Sequence, residues 1–285
     1  MREIERLKEE ILKDYPRLDE TSEIKFACHP GVACFNDCCR DVNIFLTPYD
    51  IIRLTNSLGV SSAEFLSKYT LSPFDKNLKF PVILLKMEED DRKSCPFVGD
   101  GGCQVYGDRP WACRMYPIGL ASPKESSDAL NQDFYFLLQE GICQGHREEK
   151  TQTVGEWLKD EGVSEYNRMG EDFKDLTLHD SIQNGENLSP QKIEMFFLAC
   201  YNLDTFRDFV FGSTFLEKFE VDDEVRRKIK EDDVELLKFG YDWLRFALFG
   251  ENTMKIRSDV LQAKKKEIDS RPQWARNRHP SPKRM

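Results

Sequence analysis

Residues 28–40 read CHPGVACFNDCCR and place four cysteines within a short segment. Short loops between thiols let several sulfur atoms reach one centre at little cost in loop-closure entropy. Farther along, CPFVGDGGCQVY (95–106) and RPWACRMYP (109–117) add three cysteines, and Cys143 follows. We therefore expect a fold organised by metal-ligating thiolates, and the candidate ligands are Cys28, Cys34, Cys38, Cys39, Cys95, Cys103, Cys113 and Cys143.

The distribution of the cysteines favours a reducing compartment. Eight of the nine lie in the first half of the chain, and in such a compartment clustered thiols indicate metal ligation or redox chemistry more than disulfides, which remain the alternative. Residues 1–15 are charged and lack the apolar segment of a secretory signal. No stretch approaches the ~18 apolar residues of a membrane span. We expect a cytoplasmic protein with no membrane contact, in which Cys200, within MFFLACY, is a core residue.

The charge is unevenly distributed. The net charge of −10 combines +6 from residue 263 onward with −16 for the rest. The acidic body will not attract nucleic acid, so nucleic acid is not an expected partner. The partner is expected to be a protein or a small molecule of unknown identity. The basic end, rich in Pro and polar residues, is expected to be a solvated tail, with a contact to nucleic acid or an acidic partner as the alternative.

Two details of the cysteine segments bear on geometry. The glycine-rich centre of residues 95–103 predicts a tight turn that brings Cys95 and Cys103 side by side. Cys38 and Cys39 are adjacent, and in extended backbone their side chains would point to opposite sides. Either the backbone turns sharply there or the two thiols serve different centres. The eight cysteines permit two four-thiolate sites, or one site with spare cysteines.

Two arginines flank Cys113. A thiolate-bound metal centre is anionic, and buried negative charge is costly unless cations or N–H donors face it. Arg109 and Arg114 are expected to supply that compensation and to lower thiol pKa values, which makes them candidate cofactor-binding residues. The alternative is that each pairs with a carboxylate. His29 and His146 lie near cysteines and are candidates for a substitute ligand or proton carrier, with an ordinary loop position favoured for His29.

The hydrophobic pattern changes along the chain. We predict a mainly α fold with a few short strands (α+β), in which a loop-rich cysteine-cluster domain over residues 1–150 precedes a helical region over 151–262 and a flexible basic tail over 263–285. Short strands are expected at 42–46 and 81–87, and an amphipathic helix at 1–18. Capping signals at Thr47, Ser61 and Ser189 predict helix starts, and apolar faces over 234–248 predict a buried helix.

The combined motifs resemble those of a known family. The group C-x5-C-x3-CC-R (28–40), the later C-x7-C-x-x-Y (95–106) and RP-x-x-CR-x-YP (109–117) are similar to the YkgJ-type cysteine-cluster family with a CxxCxxCC consensus. The resemblance covers residues 26–120 and implies a zinc- or iron-chelating domain. Flagellin lysine-N-methylases share this type of cluster, and this similarity links it to iron–sulfur and S-adenosylmethionine.

The metal and its use have several interpretations. All-cysteine sites suit both iron–sulfur clusters and zinc. Many ligands dispersed over a long span, without the paired CxxC knuckles of structural zinc sites, favour an iron–sulfur cluster, most simply four-iron, over Zn²⁺. A redox or protein-modification role is expected. The alternatives are a structural zinc module and an S-adenosylmethionine-dependent lysine methylase. The sequence has no GxGxxG strand–helix fingerprint, no GxSxG elbow and no HExxH helix, so whether the protein is an enzyme stays open.

Overall fold

The computed structural model describes residues 15–72, 79–121, 133–184 and 188–270. The chain divides into a first unit, residues 1–187, and a second unit, residues 188–285. The first contains short strand pairs, loops and helices, and the second is built from helices. The predicted fold class, mainly α with a few short strands, is confirmed. No helix among the described residues is long and apolar enough to cross a membrane.

Among the described residues, the strands of the first unit form four separate antiparallel pairs. They are β1 (Glu23–Lys25) with β8 (Thr151–Thr153), β2 (Thr70–Leu71) with β3 (Leu84–Leu85), β4 (Val98–Gly99) with β5 (Gly102–Cys103), and β6 (Ile118–Ala121) with β7 (Phe134–Leu137). Its helices are α1 (Pro48–Leu58), α2 (Ser62–Tyr69), α3 (Trp111–Met115), α4 (Val154–Asp160), α5 (Val163–Thr177) and α6 (Asp180–Gln183). The pairing of β1 with β8 joins the two ends of the cysteine-bearing segment.

The helix starts follow local capping chemistry. Thr47 caps α1, Pro48 occupies the first turn, and Asp50 completes the capping box, as predicted. Ser61 caps α2 by accepting the Glu64 N–H at 3.1 Å. Each side chain satisfies an N–H that the helix itself leaves unpaired, so these boundaries could be predicted from sequence alone.

The two predicted strands at 42–46 and 81–87 and the end of the predicted helix at 1–18 differ from the structure in length. The segments 42–46 and 81–87 pair with each other over only a few residues. Leu46 N–H donates to the Ile83 carbonyl and Leu85 N–H to the Ile44 carbonyl, both at 2.9 Å, and only β3 is a regular strand. Of the predicted helix at 1–18, residues 1–14 lie outside the described residues. Leu18 forms a bridge with Tyr135, so the helix does not reach residue 18.

The core of the first unit extends past residue 150. Ile24 and Phe26 pack with Ile118 and with two residues of α4, Trp157 and Leu158. Burial of these apolar side chains is the main stabilisation that the unit gains, at roughly 25 cal/mol per Å² of apolar surface. The division between units therefore falls at 187/188, later than the predicted boundary at 150/151, because the first helices after the cysteine segment complete its core.

The second unit consists of helices. They are α7 (Pro190–Tyr201), α8 (Leu203–Gly212), α9 (Phe215–Lys218), α10 (Asp223–Glu231), α11 (Asp233–Leu244), a π-helical turn (Arg245–Phe249) and α12 (Ser258–Ser270). The Ser189-Pro190 helix start and the buried helix predicted over 234–248 are both present. Cys200 is fully buried within this unit. The first residues of the predicted tail are helical up to Ser270, and residues 271–285 lie outside the described part of the chain.

Candidate metal centre

The first cysteine group lies in a series of tight turns. Backbone bonds from Val32 N–H to the His29 carbonyl and from Asp37 N–H to the Cys34 carbonyl, at 3.0 and 2.9 Å, fold the segment on itself. It ends in a 3-10 turn, Asp37–Cys39, which follows a left-handed residue at Asn36. The backbone therefore turns sharply at the Cys38–Cys39 pair and is not extended there.

Cys143 joins this group from more than a hundred residues away. Ala27 N–H donates to the Gly145 carbonyl at 3.2 Å, and Gln144 N–H donates to the Cys34 sulfur at 3.0 Å. A Cβ on Gly145 would lie 2.6 Å from the Ala27 carbonyl oxygen, so only glycine allows this close approach of the two segments. The Cys143 loop is thereby fixed against the loop that carries Cys28 and Cys34.

The second group is built on a hairpin. Cys95 N–H donates to the Cys39 carbonyl at 2.8 Å, which ties the two cysteine segments together. The chain then turns through β4 and β5, where Val98 is paired with Cys103. Gly102 has φ of 115°, a conformation that favours glycine. The predicted turn is present, and it returns Cys103 toward Cys95.

Cys113 is delivered by the short helix α3. The fully buried carboxylate of Asp50 accepts the N–H of Trp111, the first residue of α3, at 2.7 Å, and the N–H of Thr47 at 2.7 Å. One carboxylate therefore fixes both the start of α1 and the start of the helix that carries Cys113. Burial raises the pKa of Asp50 to about 6.

The eight cysteines face two neighbouring cavities. A small cavity of about 20 Å³ is lined by four of them, Cys28, Cys34, Cys38 and Cys143. A larger cavity of about 750 Å³ is lined by six, Cys28, Cys38, Cys39, Cys95, Cys103 and Cys113. All nine cysteines of the chain, each within the described ranges, are free. Every candidate ligand predicted from the sequence therefore lies at this one place in the first unit.

Several of the clustered thiols have pKa values above that of a free cysteine. Burial, and then the charges of Cys38, Cys34 and Cys143, raise the pKa of Cys28 to about 11. Burial, and then the charges of Cys95, Asp50 and Cys103, raise the pKa of Cys113 to about 12. Burial also raises the pKa values of Cys95 and Cys103. A metal that binds here as a thiolate complex must displace these protons.

The two arginines have different positions. Arg109 lines the larger cavity, forms an ion pair with Glu161 and lies 3.8 Å from the Tyr106 ring centroid. Its charge acts to lower the pKa of Cys113, against the larger effect of burial. Arg114 is buried, does not line either cavity, and donates to the backbone carbonyls of Arg109, Glu161 and Gly107. Arg109 is positioned to face a bound centre, whereas the contacts of Arg114 hold α3 in place.

The two candidate histidines lie in different places. His29 lines the larger cavity and lies 3.3 Å from Glu148. His146 lines neither cavity; its ring packs on Phe26 at a centroid distance of 5.1 Å. Of the two histidines, only His29 lies at the cysteine cavities.

The sequence alone did not identify Asp50, Gln144 or Tyr116 as part of the site. Tyr116 lines both cavities, and burial followed by the neighbouring Cys143 thiol raises its pKa. The Tyr116 hydroxyl oxygen is buried, and no described residue offers it a hydrogen bond of good geometry. A buried polar atom of this kind is typical of a site that takes a bound ion or water. The one feature of the sequence that could have indicated Tyr116 is its position in the RPWACRMYP segment, three residues after Cys113.

The donor chemistry fits a thiolate-bound metal, because cysteine sulfur suits zinc, copper(I) and iron–sulfur centres. Among the described residues, no three His, Cys, Asp or Glu side chains stand close enough together to hold one ion as they are. The thiols would need side-chain rotation to close on a single ion.

Comparison with known proteins agrees with the site. The model of the CxxCxxCC family, described as "Putative zinc- or iron-chelating domain", matches residues 27–151. This range includes all eight clustered cysteines and excludes Cys200. No curated protein and no solved structure matches the chain. Residues 27–151 of this chain are therefore similar to the zinc- or iron-chelating domain of the CxxCxxCC family, the resemblance that its motifs indicated.

Proposed function

We propose that the first unit binds iron–sulfur on its cysteine thiolates, most simply as a four-iron cluster, and serves in a redox or protein-modification role. One observation carries the proposal: eight thiols from separate segments of the chain line two neighbouring cavities. Iron–sulfur clusters are held by four thiolates and require room beyond that of one ion. The larger cavity, of about 750 Å³, supplies that room.

The surroundings suit an anionic cluster. Arg109 faces the larger cavity while its partner Glu161 keeps it oriented. When bound, the cluster would supply one-electron chemistry. The chain itself would position the cluster, exclude water through Phe97 and Trp157 in the cavity wall, and limit its charge by the arginine. Free clustered thiols favour a cytoplasmic location, and the acidic body favours a protein or small-molecule partner over nucleic acid.

A structural zinc module is the second candidate, and one observation favours it. The cavity lined by Cys28, Cys34, Cys38 and Cys143 is only about 20 Å³, a size that matches a single ion. Four-cysteine zinc sites are tetrahedral and contribute directly to folding.

Anaerobic purification distinguishes these functions. The protein as purified should be brown and contain iron and acid-labile sulfide, because sulfur-to-iron charge transfer absorbs visible light whereas zinc, with a filled d shell, is colourless. Cys113→Ser should reduce the colour. Cys200→Ala is the matched control, since this cysteine is in the second unit, and it should retain the colour.

A colourless protein with stoichiometric zinc would overturn the iron–sulfur proposal in favour of the structural module. Brown protein that also binds S-adenosylmethionine would favour the lysine-methylase alternative for the role of the cluster.

A further inference from the structure

We infer that the eight cysteines form two separate four-thiolate centres, one on Cys28, Cys34, Cys38 and Cys143 and the other on Cys39, Cys95, Cys103 and Cys113. The inference rests on the proposed function, because it takes the thiols to be metal ligands. It assigns each cysteine to a centre and adds a second centre.

The first set is defined by the small cavity. The cysteines in its wall are these four, and its other lining residues include Phe26 and Tyr116. The bond from Gln144 N–H to the Cys34 sulfur brings the Cys143 loop to the first cysteine segment. N–H donors to cysteine sulfur stabilise the thiolate form that a metal requires. Four thiols therefore line the same small cavity, and one of them accepts an N–H donor.

The second set is held together by different contacts. The Cys39 carbonyl accepts the Cys95 N–H, the hairpin returns Cys103, and Asp50 fixes the start of the helix that bears Cys113. These four thiols line the larger cavity and are absent from the wall of the small one. Arg109 also lines the larger cavity and can offset the charge of a centre there.

The adjacent cysteines Cys38 and Cys39 are assigned to different centres. The two residues lie in one 3-10 turn, with about three residues per turn, and their thiols are close enough to interact. The lining of the two cavities distinguishes them. Cys38 lines both cavities, whereas Cys39 lines only the larger one. Cys28, like Cys38, stands in the wall between the cavities. The paired cysteines thus give one ligand to each centre and make the two centres close neighbours.

Metal stoichiometry tests the inference on the full chain. Anaerobically purified protein should hold two centres, a single ion on the four thiols of the small cavity and a four-iron cluster on the other four. Cys34→Ser should remove the first centre and leave the second, and Cys34→Ser/Cys143→Ser should lower the metal content no further. Cys34→Ser/Cys113→Ser should remove nearly all of it. Cys200→Ala should keep the full content.

The outcomes are distinguishable from those of the proposed function. Purified wild-type protein without metal overturns both. Wild-type protein with one centre, lost entirely in every single variant, overturns the two-centre inference and leaves the metal-binding function standing.

A second measurement needs no variant and so does not depend on folding of mutants. Partial removal of metal from the wild-type protein by a chelator, followed by alkylation and peptide mapping, should give species in which one set of four cysteines is modified and the other protected. Modified sets that mix members of the two groups would overturn the assignment.

Discussion

Replacement of Asp50 by alanine tests how the first unit positions Cys113. The carboxylate accepts two backbone N–H groups at 2.7 Å each, from Thr47 and Trp111. Asp50→Ala leaves both donors without an acceptor, at a cost of about 1–3 kcal/mol each. It also removes a buried carboxylate that is costly to keep ionised, which offsets part of that loss. We expect a net decrease in the free energy of unfolding of about 2–4 kcal/mol.

Two control variants separate the contributions. Thr47→Ala removes only the hydroxyl that accepts the Asp50 N–H at 3.1 Å, a cap whose loss costs about 1 kcal/mol. It leaves the bond between Asp50 and Trp111 intact. Asp50→Asn keeps the shape of the side chain and one carbonyl oxygen, so it should lose about half as much as Asp50→Ala. Only the Asp50 variants should disturb the helix that carries Cys113.

The assay is urea unfolding followed by circular dichroism, combined with metal analysis of the same preparations. Asp50→Ala should lower the urea midpoint more than Thr47→Ala and should also lower the metal content. Equal losses in the two variants, or an unchanged midpoint in Asp50→Ala, would refute the role of this carboxylate as the tie between the two helices.

Three further changes have defined expectations. Burial raises the pKa of Asp50 from 3.8 to about 6, so the folded chain holds the carboxyl proton more tightly than the unfolded chain does. The stability that this proton contributes is complete below pH 4 and is lost as the pH rises through 6. Wild-type stability relative to Asp50→Asn should therefore fall by up to about 3 kcal/mol over that range in parallel urea titrations. Gly145→Ala places a Cβ 2.6 Å from the Ala27 carbonyl oxygen and should lower both stability and metal content. Gly141→Ala is the control, because a Cβ there meets nothing within 4 Å, and it should change neither. Equal melting temperatures for the two variants would contradict the close approach at Gly145. Arg109→Met leaves the Glu161 side chain, which is 13% exposed, without its ion-pair partner and should destabilise the unit by about 3 kcal/mol. Arg109→Met/Glu161→Gln should recover part of that loss in chemical unfolding; no recovery would mean that the two residues are not coupled.

Features that depend on neighbouring residues could be predicted from the sequence. The caps at Thr47, Ser61 and Ser189 start the helices as expected, because a side-chain oxygen within three residues satisfies a free N–H. The glycine-rich turn before Cys103 forms for an equally local reason, the freedom of Gly102 to adopt positive φ. The cysteines themselves indicated a metal-chelating domain, since thiolate chemistry depends on residue type and not on the path of the chain.

The grouping of those cysteines was decided by the tertiary structure. Nothing in the sequence near Cys143 indicates that the N–H of Gln144 would bond to the Cys34 sulfur, or that Asp50 would hold the helix of Cys113. Helices α4 and α5 lie in the region that the sequence assigns to the helical part after residue 150, yet they belong to the cysteine-bearing unit because Trp157 completes its core. Such contacts join residues far apart in the chain, and their formation is governed by the burial of apolar surface and the satisfaction of buried polar groups across the whole unit, which no local pattern records.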